Sequence, residues 1–176
     1  VNTFKSFYTP SKCLDIPFSE RYSFAIVGAS QVLALDQGKL KRLVDSFFND
    51  TYLMDQNACS SPQFIVWYGK DDQITEAAKA KFWEAVHRKV TNEYDLDVKS
   101  SVDKLTWMCL DLACRDFVTD VNTKTNYIYR AQIDVLPDSI LELNGKYGYF
   151  YEYSTPDLLI IEKLMDIKIQ TLTYFG

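Results

Sequence analysis

Apolar positions change their spacing several times along this chain, and each change marks a boundary. Tyr22 to Val27 form a short apolar run closed by Gly28, which reads as a buried strand. Leu40, Leu43, Val44, Phe47 and Phe48 then fall on one face of a helix from about Lys39 to Thr51. Small and polar residues with a proline, Asp55 to Pro62, break that pattern and predict a loop. Gln63 to Tyr68 is too short for a helix and rich in β-formers, so it predicts a second buried strand, ended by Gly69 and Asp71-Asp72. A long helix comes next, with Ile74, Ala78, Phe82, Val86 and Val90 at every fourth residue and Trp83 beside them. A second helix is expected from Val98 to Val118, with Val102, Leu105, Cys109 and Leu112 on its buried face.

The last third turns to a two-residue rhythm. Tyr127, Tyr129, Ala131, Ile133 and Val135 alternate with Ile128, Arg130, Gln132 and Asp134 and predict a strand. Asn144-Gly145 sits between Ile140–Leu143 and Tyr147–Tyr151, a pattern that suits a tight antiparallel hairpin. Thr155-Pro156 opens a short helix over Leu158 to Met165, and Ile167 to Tyr174 makes a final strand. Strands alternating with helices imply a layered α/β/α domain with a mostly parallel sheet, with room for an antiparallel edge. With 176 residues and no internal boundary, 1–176 reads as one domain.

Composition narrows the function. The hydrophobic fraction of 47% supports a real core rather than disorder. A net charge of −5 without any Lys/Arg cluster argues against nucleic acid. No apolar run is long enough to span a bilayer, and no signal peptide is visible, so a cytoplasmic protein is expected. The four cysteines, at 13, 59, 109 and 114, have no paired spacing and should be reduced thiols. A lone histidine, His87, makes a zinc site hard to build, and no metal is expected.

Cys59 is the main candidate for chemistry. It lies on a short polar turn between a helix and a buried strand, where unpaired backbone N–H groups can lower a thiol pKa and hold an oxyanion. Asn57 and Gln63 add amide donors nearby. The bland alternative, a small buried hydrophobe, is common for a free cysteine.

The stretch Phe47 to Gln63 resembles the nucleophile region of the aldehyde dehydrogenase superfamily. It is most similar to the long-chain fatty acyl-CoA reductases, the reductase component of the bacterial luminescence fatty-acid reductase complex. Their Asp-Gln-x-Ala-Cys element is reproduced by Asp55, Gln56, Ala58 and Cys59, with Gln63 just beyond. Lys146 to Tyr153 and Ile169 to Gly176 are also similar to that family's C-terminal part. The resemblance implies a sheet domain like the catalytic domain of aldehyde dehydrogenases. It also implies that Cys59 attacks an acyl-CoA or another acyl thioester, and that hydride from NADPH then releases a fatty aldehyde. Asn57 and Gln63 would lie in the substrate and oxyanion neighbourhood. An acyl-transfer protein is an implied partner, and homo-oligomers stay open. The family's general base is not assigned, because Glu20, the nearest upstream glutamate, lacks the surrounding Glu-Leu-Gly-Gly-Lys element. No Gly-x-Gly-x-x-Gly occurs, and Gly28 is followed by Ala29-Ser30, so the NADPH-binding domain is expected to lie outside this chain.

The remaining candidates read structurally. His87 is expected to be half-buried on a helix face, and Cys109 to be core. Cys114 stands about 140° further round the helix, too far for a chelating pair with Cys109. Cys13 falls in a loop near Pro10 and Pro17, and Asp71-Asp72 is read as a helix start. Tyr147, Tyr149, Tyr151 and Tyr153 would line one sheet face, as core, acyl-chain wall or subunit interface. The alternative function is a non-enzymatic binding or assembly module in which Cys59 is only a loop thiol. A cysteine hydrolase using His87 is the weaker rival.

Overall fold

Tyr22–Gly28 (β1) is buried along its whole length, as a strand with partners on both edges and helices over both faces must be. In this computed structural model, which describes residues 7, 8, 10, 12, 13 and 21–176, β1 leads into Ala29–Ala34 (α1) and Gln37–Thr51 (α2). Then come Phe64–Tyr68 (β2), Asp72–Glu93 (α3), Val98–Cys114 (α4), Val118–Thr125 (β3) and Ile128–Ile133 (β4). Tyr149–Thr155 (β5), Ile160–Leu164 (α5) and Ile169–Phe175 (β6) complete the order. The six strands form one sheet in the order β3-β4-β5-β2-β1-β6. Every pairing is parallel except β3 with β4, which places the antiparallel pair at one edge. The three long helices begin on aspartates: Asp36 accepts from the Lys39 amide, Asp71 from Gln73 and Ile74, and Asp97 from Ser100. Asp71 is thus the helix start that the sequence suggested.

Alternate strand residues feed two cores, one on each face. On the first, Ile65, Trp67 and Phe150 meet Val44, Phe48, Phe82 and Val86 from α2 and α3. Glu152 is buried here, and its carboxylate accepts from the indole N–H groups of both Trp67 and Trp83 at 2.7 Å. On the second face, Phe24, Phe64, Tyr149 and Tyr151 meet Ile140, Leu143 and Leu164, with Met108 of α4 packed alongside.

Four expectations are corrected. Ile140–Glu142 is a 3-10 turn rather than a strand, and Asn144-Gly145 makes no hairpin. Instead β5 runs parallel between β2 and β4, and the hairpin lies at Asn126-Tyr127, where β3 meets β4. The helix α4 stops at Cys114, because Val118–Thr125 belongs to β3. Its apolar stripe faces outward: Val102 is 55% and Leu112 53% exposed, and Cys109 is exposed rather than core. The face it turns inward carries Ser100, Lys104 and Asp111. The reason lies in β5. Tyr149 and Tyr151 bring hydroxyls into the second core, and Asp111 accepts from both, at 2.7 Å from Tyr149. Arg115 pairs with the same carboxylate at 3.0 Å. Burial pushes both phenol pKa values well up, with the neighbouring carboxylate adding to the effect. Finally, Ile74 is exposed, although the rest of its stripe on α3 is buried. Of the tyrosine ladder, Tyr149 and Tyr151 are core and Tyr153 packs partly against it. Tyr147 stands off the strand with a positive φ of 59°.

Candidate functional site

The chain leaves α2 through one 3-10 turn, Tyr52–Met54, and then takes two successive left-handed residues, Asp55 and Gln56, at φ 53° and 59°. Neither is glycine, so each costs about 1 kcal/mol or more and persists only where its surroundings fix it. Both are fixed. The Asp55 carboxylate accepts from the Tyr94 hydroxyl at 2.8 Å, and its carbonyl accepts from the Tyr147 amide. Burial, reinforced by the Asp55 hydrogen bond, raises the Tyr94 pKa far above the ordinary phenol value. Gln56 is fully buried and uses its whole amide. Its Nε2 donates to the Pro62 and Tyr149 carbonyls, and its Oε1 accepts from the Gly148 amide. The two residues bolt the loop to the lead-in of β5.

Beyond Gln56 the chain forms a short presenting turn. The Ser61 amide donates to the Ala58 carbonyl, and the Ser61 hydroxyl donates to the Asp50 carbonyl at 2.6 Å. Ser23, on β1, donates its hydroxyl to the Cys59 carbonyl at 2.6 Å. Among the described residues, the amides of Ala58, Cys59 and Ser60 have no hydrogen-bond acceptor. Cys59 is half-buried, and it lines a pocket of about 280 Å³ together with Asn57 and Gln63. The structure therefore gathers the three sequence-selected residues at one place. The Asn57 side-chain amide donates to the Asp55 carbonyl at 3.2 Å, so it already has a partner within the loop. The Gln63 Oε1 atom is buried and has no partner among the described residues.

The same pocket holds residues that sequence reasoning passed over. Arg21, Lys146 and Lys168 line it, with Tyr22 and Leu141 as apolar wall. Their meeting is a consequence of the parallel sheet. Arg21 precedes β1, Gln63 precedes β2, Lys146 lies just ahead of β5, and Lys168 precedes β6. Strand order β5-β2-β1-β6 lays these four starts side by side along the amino end of the sheet. Arg21 is held by donation to the Ile167 carbonyl at 2.9 Å. The sequence signal was a cation close ahead of three separate strands, visible only once their neighbours are known.

Other candidates lie elsewhere. His87 is half-buried on α3, within hydrogen-bonding distance of the Thr91 hydroxyl. It borders a different hollow with Trp83, Asn122 and Arg130. Cys13 and Cys114 are exposed. Glu20 lies outside the described residues. A larger hollow, between α2 and α3, is edged by charges already spent on each other, such as Lys89 with Asp45 and Glu93.

A dinucleotide needs a glycine turn that lets phosphates approach a helix start. Here β1 ends in Gly28, where an added Cβ would lie 2.3 Å from the Gln31 side chain and 3.3 Å from the Phe175 carbonyl. The space over that glycine is taken by the Gln31 side chain and the Phe175 carbonyl rather than left as an open cradle. Helix α1 behind it is only six residues long, and Ala29 is fully buried. The turn between β1 and α1 therefore does not fit a dinucleotide-binding turn.

Comparison with protein families finds one whose model, described as Acyl-CoA reductase (LuxC), matches residues 2–101. The matched stretch runs from ahead of β1 through the Cys59 loop and α3 into the first turn of α4. No curated protein matches the chain.

Proposed function

The chain belongs to the acyl-CoA reductase (LuxC) family, and on that basis we propose that Cys59 is its acyl-accepting nucleophile, carrying a fatty acyl group as a thioester. The observation that carries the reading is Cys59 itself, half-buried on a concave wall in a turn whose Ala58, Cys59 and Ser60 amides have no acceptor among the described residues. In this step the Cys59 thiolate attacks the carbonyl carbon of the acyl thioester and a new C–S bond forms. The bond to the carrier sulfur then breaks, and the carrier leaves as a thiolate that takes up a proton. Charge that develops on the carbonyl oxygen is met by the amides of the presenting turn. Asn57 and Gln63 hold the carrier side of the substrate rather than the oxyanion, since the turn's own amides lie nearer the thiol in sequence. Strained backbone at Asp55 and Gln56, clamped from Tyr94 and β5, keeps the turn in place before substrate arrives.

Release of the acyl group as an aldehyde needs a reductant, which we take to be NADPH. The turn between β1 and α1 offers it no cradle, and we assign its site to other residues. We read the protein as cytoplasmic, with an acyl-transfer protein as a candidate supplier of substrate. Aldehyde formation is the test. The protein, supplied with a fatty acyl-CoA and either NADPH or NADH, should form aldehyde with a preference for NADPH. Replacing Cys59 by Ser should lower the rate by about a thousandfold or more, in line with loss of an essential nucleophile. An unchanged rate in that variant would remove Cys59 from the chemistry.

A further inference from the structure

The Cys59 pocket is polar and cationic where a fatty chain would want an apolar tunnel. Among the described residues, ten line it, of which three are Arg or Lys and none is Asp or Glu, in a chain whose net charge is −5. Among the described residues, none of Arg21, Lys146 and Lys168 makes an ion pair. On α2 and α3, Lys41, Lys79 and Lys89 each meet a carboxylate, and Lys81 donates to the Leu33 and Leu35 carbonyls. Unpaired cations gathered at one mouth form an anion site. Arg21 and Lys168 are exposed and Lys146 is half-buried. Gln63 lines the same pocket, and its Oε1 atom is buried with no partner among the described residues.

This set of groups, three cations, a side-chain amide and a thiol around one pocket, matches one class of molecule. Resting on the reading of Cys59 as nucleophile, we propose that this pocket receives the phosphopantetheine arm of the acyl carrier, with Arg21, Lys146 and Lys168 holding phosphate and the Gln63 side chain lying beside the pantetheine amides. The acyl chain then leaves the pocket in another direction. An arm of this kind is shared by coenzyme A and by acyl carrier proteins, and the pocket reads only their common part. Phosphate held by Arg and Lys is a charge-assisted contact, and part of the attraction is long-range and weakens with salt.

The test compares three donors of one acyl group, octanoyl-pantetheine, octanoyl-4′-phosphopantetheine and octanoyl-CoA, in the absence of nicotinamide cofactor. Acylation of Cys59 is followed by intact mass on the full protein. The expected result is a rate with the two phosphorylated donors at least about tenfold above that with octanoyl-pantetheine, shrinking as salt is raised. In Lys146→Ala and in Arg21→Ala that ratio should fall by about tenfold, and Lys146→Arg should restore most of it. Octanoyl-CoA and an octanoylated acyl carrier protein, tested separately, tell the two sources of the arm apart. Equal rates with all three donors would overturn this inference while leaving Cys59 as nucleophile. No acylation by any donor would overturn the nucleophile as well. If the variants acylate normally and only the KM for NADPH rises in aldehyde formation, the cations serve the dinucleotide and the proposal is wrong.

Discussion

Helices α3 and α4 lie on opposite faces of one sheet, and they obey opposite rules. Helix α3 turns Ala78, Phe82, Val86 and Val90 inward and leaves charges such as Glu84 and Arg88 in water. Helix α4 turns Ser100, Lys104 and Asp111 inward and leaves Val98, Val102, Leu105 and Leu112 outside. An apolar stripe tells which face a helix would rather keep dry, but the surface beneath decides which face is taken. Under α3 the sheet offers Trp67 and Phe150, and apolar packing wins. Under α4 it offers two tyrosine hydroxyls and the carbonyls of Asn126 and Tyr147, and buried polar groups must be satisfied. The tyrosine hydroxyls come from β5, the strand to which the Cys59 loop is bolted, so the polar face of α4 backs the site.

Four experiments sharpen this contrast, from the largest effect to the smallest. Phe82→Ala should cost about 3–5 kcal/mol, since its ring packs against Phe47, Trp67 and Trp83. Urea unfolding measures this, and a loss under about 1 kcal/mol would mean that α3 is not seated as described. Asp111→Ala should cost about 3 kcal/mol, because Tyr149, Tyr151 and Arg115 lose one shared acceptor. If Asp111→Ala unfolds at the wild-type urea midpoint, α4 does not face the sheet through this residue.

The third experiment concerns Lys104, whose Nζ donates to the Asn126 and Tyr147 carbonyls and has no carboxylate partner among the described residues. Burial lowers its pKa to about 7. Its ordinary value in an unfolded chain is about 10.4, so the unfolded chain holds the proton more tightly between those two values. Stability should therefore rise with pH above about 7, by at most about 1.4 kcal/mol per pH unit, and the cost of the buried charge is fully present below that. A neutral amine still has two hydrogens for its two carbonyls. Urea midpoints at pH 6, 7, 8 and 9 should climb in the wild type and lie flatter in Lys104→Met. Parallel pH profiles would show that Lys104 titrates normally. Smallest of the four, Val102→Ser on the outer face of α4 should shift stability by no more than about 0.5 kcal/mol. A loss above about 1 kcal/mol would reveal that this face is covered in solution.

Much of the fold was legible in the sequence. Continuous apolar runs marked β1 and β2, and fourfold spacing marked α2 and α3, because in both cases local pattern and burial agree. The errors cluster where polar residues are buried. Lys104 and Asp111 look like solvent residues on a helical wheel, and nothing local says that Tyr149 and Tyr151 await them across the core. Asn144-Gly145 has hairpin chemistry, yet the preceding segment has no free strand edge to join, since β5 is flanked by β2 and β4. At the site, Cys59, Asn57 and Gln63 could be selected because they are close in sequence. Arg21, Lys146 and Lys168 could not, since only the parallel alignment of strand starts unites them. Gln56 was visible as part of a family-like element, but its role as a buried clamp needed coordinates.

Cys59 as the acyl acceptor is tested most directly by the mass of the protein after incubation with acyl-CoAs of several lengths, beside a Cys59→Ala control. The predicted result is an added acyl mass that hydroxylamine removes and that the control lacks. Equal labelling of wild type and control would contradict the assignment.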